Sequence, residues 1–193
     1  MATATKYNRQ DVVQKATYLF WEKGYHATSM RNLQEAVDLR PGSIYAGFGS
    51  KEGLFKATLQ HYASKSLAKL QSFSETHDSP IEALRAFVTS VVTVSKTQTP
   101  SNMCMLVKTI SELTEEDNAE LLAEAQRLLG NVEIAFADLF TEAQARGELN
   151  KSKNPKRLAR LLQLQLMGLR AYVRSNKESN IEELIEDTFA TLL

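Results

Sequence analysis

The chain has 193 residues, of which 43% are hydrophobic and 24% charged, a balance that points to a globular protein with a real core and away from disorder. Its 23 Lys/Arg and 23 Asp/Glu cancel to a formal net charge of zero, so the chain as a whole is no polycation. One cysteine, Cys104, excludes an intrachain disulfide and a cysteine-based zinc cluster, and His26, His61 and His77 lie too far apart to form a metal pair; no metal and no cofactor are expected. Apolar runs are a few residues long and the opening MATATKYNRQ lacks the apolar core of a secretory signal, so a cytoplasmic location without a membrane partner is expected.

Apolar residues recur at three-and-four spacing between sparse glycines and prolines, which predicts an all-α fold of about nine helices. The first runs from Arg9 to Lys23, with Val12, Ala16, Leu19 and Phe20 on one face and Gly24 as its stop. Thr28 or Ser29 caps a short second helix that buries Met30, Leu33, Ala36 and Val37. After the turn Asp38-Leu39-Arg40, Pro41 opens a third helix carrying Ile44, Tyr45 and Phe48 and breaking at Gly49-Ser50. A long fourth helix reaches about Ser74, and a fifth carries Leu84, Phe87, Val88, Val91 and Val92. Thr97 to Asn102 is the next break, followed by a sixth helix from about Asn102 to Leu113. A seventh runs from near Asp117 to about Arg146, an eighth from Pro155 to about Asn176 and a ninth from Ile181 onward.

The zero net charge hides an asymmetry. Residues 1–56 hold eight Lys/Arg against five acids, and the remainder fifteen against eighteen, so the chain runs from net +3 to net −3. The basic end is also where two short helices flank a three-residue turn, the pattern of a helix-turn-helix. In the third helix Ile44 and Phe48 anchor inward, leaving Gly42, Ser43, Tyr45, Ala46 and Gly47 wholly or partly outward. Small side chains there permit close approach to a groove, a tyrosine hydroxyl reaches phosphate, and Lys51 adds charge at the next helix start.

The runs Thr28-Ser29-Met30-Arg31-Asn32-Leu33-Gln34-Glu35-Ala36 and Arg40-Pro41-Gly42-Ser43-Ile44-Tyr45-Ala46-Gly47-Phe48-Gly49-Ser50-Lys51-Glu52-Gly53-Leu54-Phe55 resemble the DNA-binding signature of the TetR family over its whole length. The resemblance implies a three-helix helix-turn-helix DNA-binding domain at residues 1–56 and a helical ligand-binding and dimerisation domain at 57–193. It implies a transcriptional regulator, most simply a repressor, that binds double-stranded operator DNA as a homodimer and is released by a small-molecule effector. Thr28, Gly42, Ser43, Tyr45 and Lys51 fall where family members touch DNA. Where many relatives carry an aromatic and a histidine ahead of the phenylalanine this chain has Ala46 and Gly47, which leaves Arg31 or Arg40 to supply base or phosphate contacts.

For the dimer, the family pattern implies the last two helices, through Leu158, Leu162, Leu166, Leu169, Tyr172, Val173, Ile185 and Phe189. Phe87, Val91, Met103, Cys104, Leu106, Phe136, Phe140 and Met167 are candidates to line an effector pocket. Cys104, placed two residues into the sixth helix with Lys108 one turn on, has the ingredients of an oxidant- or electrophile-sensing thiol, against which Met103 and Met105 suggest an inert apolar setting. The alternatives are a helical interaction protein without DNA binding, or a Cys104-based redox sensor or enzyme. No acid or histidine near Cys104 in sequence, no phosphate cradle and no paired-acid motif supports catalysis, so no enzyme is expected.

Overall fold

Local side-chain chemistry sets the helix ends of the basic segment. In the computed structural model, which describes residues 7–94, 99–101, 103–176 and 180–193, α1 spans Arg9–Lys23. Asn8 caps it by accepting from the backbone N–H of Gln10 at 2.9 Å, and Gly24, at φ +90°, ends it. α2 (Met30–Val37) starts with a reciprocal cap: Ser29 Oγ accepts from Asn32 N–H, and Asn32 Oδ1 accepts from Ser29 N–H, each at 3.1 Å. It closes at Asp38, the one non-glycine described residue in the left-handed region. Arg40 is held extended by the proline after it, and Pro41 is the first residue of α3 (Pro41–Phe48), which Gly49 stops at φ +77°.

The remaining helices are α4 (Lys51–Thr76), α5 (Pro80–Val94), α6 (Met105–Glu112), α7 (Glu115–Ala145), α8 (Pro155–Ser175) and α9 (Ile181–Leu192). The described residues thus form nine helices and no strand, the all-helical class expected. α6 begins at Met105, so Cys104 precedes the helix instead of lying two residues inside it. The expected break from Thr97 to Asn102 and the opening residues 1–6 fall wholly or partly outside the described residues. α7 leaves helical geometry at Asn118 (φ −143°) and at no other position.

Two compact units divide the chain. The first holds the residues through Tyr62 together with Met105–Gln126; the second holds Ala63–Cys104 and Arg127–Leu193, so the boundary falls inside α4 and inside α7. The basic segment shares its unit with α6 and the start of α7. In the first unit Phe20, Tyr25 and Phe55 cluster, with ring centroids 4.7 Å apart and the rings edge-on for Phe20–Phe55, and 4.9 Å apart and tilted for Tyr25–Phe55. In the second, α5, α8 and α9 pack on one another around Phe87, Phe136, Phe140, Leu162 and Phe189, all 1% exposed or less. Arg85 lies over the Phe189 ring at 4.7 Å and pairs with Glu186 at 2.6 Å.

Candidate DNA-binding interface

α3 is held from beneath and bare above. Ile44 is fully buried, and the first turn of α4 presses so close that a Cβ on Gly53 would lie 2.0 Å from the Phe48 carbonyl oxygen. Only glycine fits there, whatever α3 does on its other side. On the outer face Gly42, Tyr45, Ala46 and Gly49 are exposed, at the i, i+3, i+4, i+7 spacing of one helix face. Tyr45 is 48% exposed. A Cβ on Gly42 would meet nothing within 4 Å. A helical glycine costs about 0.5–1 kcal/mol relative to alanine, and no described atom of the chain requires this one.

The cations around this face differ in how free they are. Arg40 is exposed at the N-terminus of α3, and Arg31 is exposed but paired with Glu35 at 3.0 Å. Ser43 is half-buried. Lys51 opens α4, where Ser50 Oγ caps by accepting from Gly53 N–H at 3.0 Å, and its ammonium sits 4.3 Å from the centre of the Tyr25 ring. Burial holds Lys51 below its usual pKa while the Glu112 carboxylate acts the other way; burial and then the charge of Glu52 raise that of Tyr25. Thr28 departs from expectation. It is fully buried, its hydroxyl donates to the Gly24 carbonyl at 2.6 Å, and Ser29 is the cap, so its side chain is not offered to a ligand.

Reading the sequence missed two features of this surface. Arg9, at the start of α1, donates to the Gly47 carbonyl at 2.5 Å and covers the Phe48 ring at 4.2 Å, satisfying a terminal carbonyl of α3. The other is a grip on the far end of α1 by α6. Glu112 accepts from the N–H of Tyr25 at 3.0 Å and of His26 at 2.7 Å, while Lys108 donates to the carbonyls of Trp21 at 3.1 Å and Glu22 at 2.7 Å.

The residues expected to form a dimer face are for the most part the chain's own core. Leu158, Leu162, Leu169, Val173, Ile185 and Phe189 are 7% exposed or less, and Leu166 packs partly buried against them; only Tyr172 faces outward, at 48%. α8 carries leucines on two sides, and the outer stripe is Leu161, Leu164, Gly168 and Tyr172. The outer side of α9 is acidic, with Glu182, Glu183, Glu186 and Asp187 exposed. Of the expected pocket residues, Phe87, Phe136 and Phe140 are core, with Val91 against them and Met167 and Cys104 half-buried; Met103 is exposed and Leu106 belongs to the first unit. Among the described residues no group of three or more His, Cys, Asp or Glu is placed to hold a metal, and no helix is long and apolar enough to cross a membrane.

Residues 12–58, the segment that builds this surface, match the family model for bacterial regulatory proteins of the tetR family. The chain is 27% identical over 188 residues, 96% of its length and 88% of the relative's, to the HTH-type transcriptional repressor ComR of Escherichia coli. It is 26% identical, over 96% of its length and 89% of the relative's, to the HTH-type transcriptional repressor DhaR of a Mycobacterium species. Among solved structures it superposes on a cysteine-substituted form of the TetR family transcriptional regulator CifR complexed with 26-base-pair double-strand operator DNA, with a TM-score of 0.81, 27% identity and 98% of both chains covered. With the bare outer face of α3 inside the matched segment and the likeness running through both compact units, residues 12–58 form a helix-turn-helix segment of the tetR type, and the chain as a whole is similar to TetR family transcriptional regulators.

Proposed function

We propose that the chain is a ligand-responsive repressor that binds operator DNA as a homodimer in the cytoplasm. The observation that carries the DNA half is the outer face of α3, where an unneeded glycine, Gly42, stands beside an exposed Tyr45 and the cation of Arg40. Residues 1–56 supply the DNA contacts through Gly42, Ser43, Tyr45, Arg40 and Lys51, with Arg31 at the edge. Residues 57–193 supply the ligand and dimer functions. Repression is supported by the names of ComR and DhaR, and operator binding by the CifR complex.

One helix-turn-helix offers few contacts, so two copies spaced by about one DNA turn, roughly 34–36 Å, are needed for specificity. The outer face of α8 suits the second copy: Leu161, Leu164 and Tyr172 are 38%, 58% and 48% exposed, and Gly168 among them has open space at its Cβ. The Glu133–Arg160 pair, at 3.5 Å, sets α7 beside this face, and α7 adds Ile134, 60% exposed, and Gly130, again with open space. A mobility-shift titration against the DNA immediately upstream of the chain's own gene tests the proposal; a shift with two protomers per duplex supports it, and no shift overturns it.

A second reading concerns the effector. Cys104 is half-buried and immediately precedes α6, the helix that grips the end of α1. An oxidant or electrophile acting on that thiol would release DNA from the natural protein and leave Cys104→Ser bound; release from both alike, or from neither, leaves a noncovalent small molecule as effector.

A further inference from the structure

Gly47 is explained by the chain in a way that Gly42 is not. A Cβ at position 47 would lie 1.9 Å from the hydroxyl oxygen of Tyr7 and 3.1 Å from its Cζ, closer than real atoms approach. The phenol oxygen therefore occupies the place where the first side-chain atom of residue 47 would be. Tyr7 reaches that place from outside α3, from the segment just ahead of α1, and that segment is fastened. Asn8 caps α1, and Arg9 donates to the Gly47 carbonyl at 2.5 Å while covering the Phe48 ring. Three consecutive residues thus fill, cap and brace. Tyr7 is half-buried, and its hydroxyl has no hydrogen-bond partner among the described residues.

We propose that Tyr7 is a DNA-backbone contact, whose hydroxyl donates to a phosphate at the rim of the groove that α3 enters and stands in for the side chain that residue 47 lacks. Arg9 is its positioning residue. The proposal rests on the DNA-binding reading above. Position 47 lies four residues after Ser43, on the flank of α3 and not on the outer face formed by Gly42, Tyr45, Ala46 and Gly49. A donor on the flank meets the sugar-phosphate wall of a groove, whereas base edges lie beneath the outer face. The adjacent Arg9 guanidinium adds positive potential there.

Tyr7→Phe removes the hydroxyl and little else. Binding is measured to two duplexes, the DNA upstream of the chain's own gene and an unrelated sequence of equal length, alongside Tyr45→Phe and thermal melting. The expected result is a loss of about three- to tenfold on both duplexes, by the same factor because a phosphate contact carries no sequence information, with an unchanged melting temperature. Native affinity for both duplexes, a loss confined to the upstream DNA, or a loss that tracks a lowered melting temperature would each overturn it. A second pair tests the geometry. In Tyr7→Ala/Gly47→Ser the serine oxygen lies one bond beyond Cβ, next to the point the phenol oxygen held, so the double variant binds more tightly than Tyr7→Ala; no recovery counts against the proposal. If the natural protein shifts no DNA, the DNA-binding reading falls and this falls with it. If Tyr45→Phe weakens binding and Tyr7→Phe does not, only the role of Tyr7 is lost.

Discussion

Glu112 holds the backbone N–H of His26 at 2.7 Å across 86 positions of sequence, and with its other oxygen it takes the N–H of Tyr25. Two donors of the turn that delivers the chain from α1 into α2 are therefore satisfied by α6. Glu112→Ala removes both acceptors and is expected to cost about 1–3 kcal/mol, seen as a fall in melting temperature of about 2–4 °C per kcal/mol in a chain of this size. Glu112→Gln keeps one acceptor and should fall between. A melting temperature unchanged in both variants would show that water replaces the carboxylate without loss.

Gly42 and Gly53 should respond to alanine with opposite signs of stability. At Gly42 the Cβ enters open space within a helix, so Gly42→Ala should stabilise the protein by about 0.5–1 kcal/mol and still weaken DNA binding. At Gly53 the Cβ meets the Phe48 carbonyl, so Gly53→Ala should destabilise by about 1–3 kcal/mol and lose DNA binding by displacing α3. Denaturant titration paired with mobility shift reads both quantities. Tighter binding by Gly42→Ala would remove the close-approach reading of α3.

Lys51→Ala and Tyr45→Phe separate charge from hydrogen bonding. If Lys51 neutralises a phosphate, its loss lowers the slope of log affinity against log salt by about one, despite its seat over the Tyr25 ring. Tyr45→Phe removes no charge and should weaken binding at nearly constant slope. A native slope for Lys51→Ala would make that side chain a packing element of the Tyr25 cluster.

The two sides of α8 should give different failures. Leu164 is 58% exposed, so Leu164→Glu is expected to leave each protomer folded and to place an unpaired carboxylate in the proposed dimer face, a penalty of about 3–5 kcal/mol. Sedimentation should then find folded monomers. Leu162, at 0% exposure, belongs to the core, and Leu162→Glu should unfold the chain. A dimer that survives Leu164→Glu moves the interface off this face.

Tyr25 offers a test at alkaline pH. Its pKa is raised above the ordinary 10.0, chiefly by burial, so the folded state holds this proton more tightly than the unfolded state does. That contribution is complete below pH 10 and is lost as pH rises through the folded value. Lys51, lowered from 10.5 by burial, works the other way below that pH, so the comparison of interest is the natural protein against Tyr25→Phe. The variant should lose stability less steeply above pH 10; identical slopes would show that Tyr25 ionises as it does in the unfolded chain.

The local signals of this fold were legible and the long-range ones were not. Gly24, Pro41 and Gly49 mark helix ends by backbone chemistry that needs no partner, and the chain obeys them. Ile44 was legible as the anchor of α3 because a short helix with one inward stripe has few ways to sit. Two adjacent hydroxyl residues, Thr28 and Ser29, serve equally as caps on paper; burial of Thr28 against the Gly24 carbonyl decides for Ser29. Helix α8 defeats periodicity for a different reason. With leucines at 158, 161, 162, 164, 166 and 169 it has apolar stripes on two sides, and only packing shows that 158, 162 and 169 face inward. Nothing local links Glu112 to His26, or Tyr7 to Gly47; both juxtapositions exist only after the chain has folded.

The grip of α6 on α1 also carries direction. Lys108 and Glu112 lie one turn apart on a single face, and they meet groups of opposite polarity, carbonyls at one point and N–H groups at the other. The pair works as a keyed connector. Docked upside down, it would set a carboxylate against carbonyl oxygens and an ammonium against N–H donors. Slipped by one residue, a helix turns about 100°, and both groups leave their sockets together. The orientation of α6 about its own axis is thereby written into two side chains.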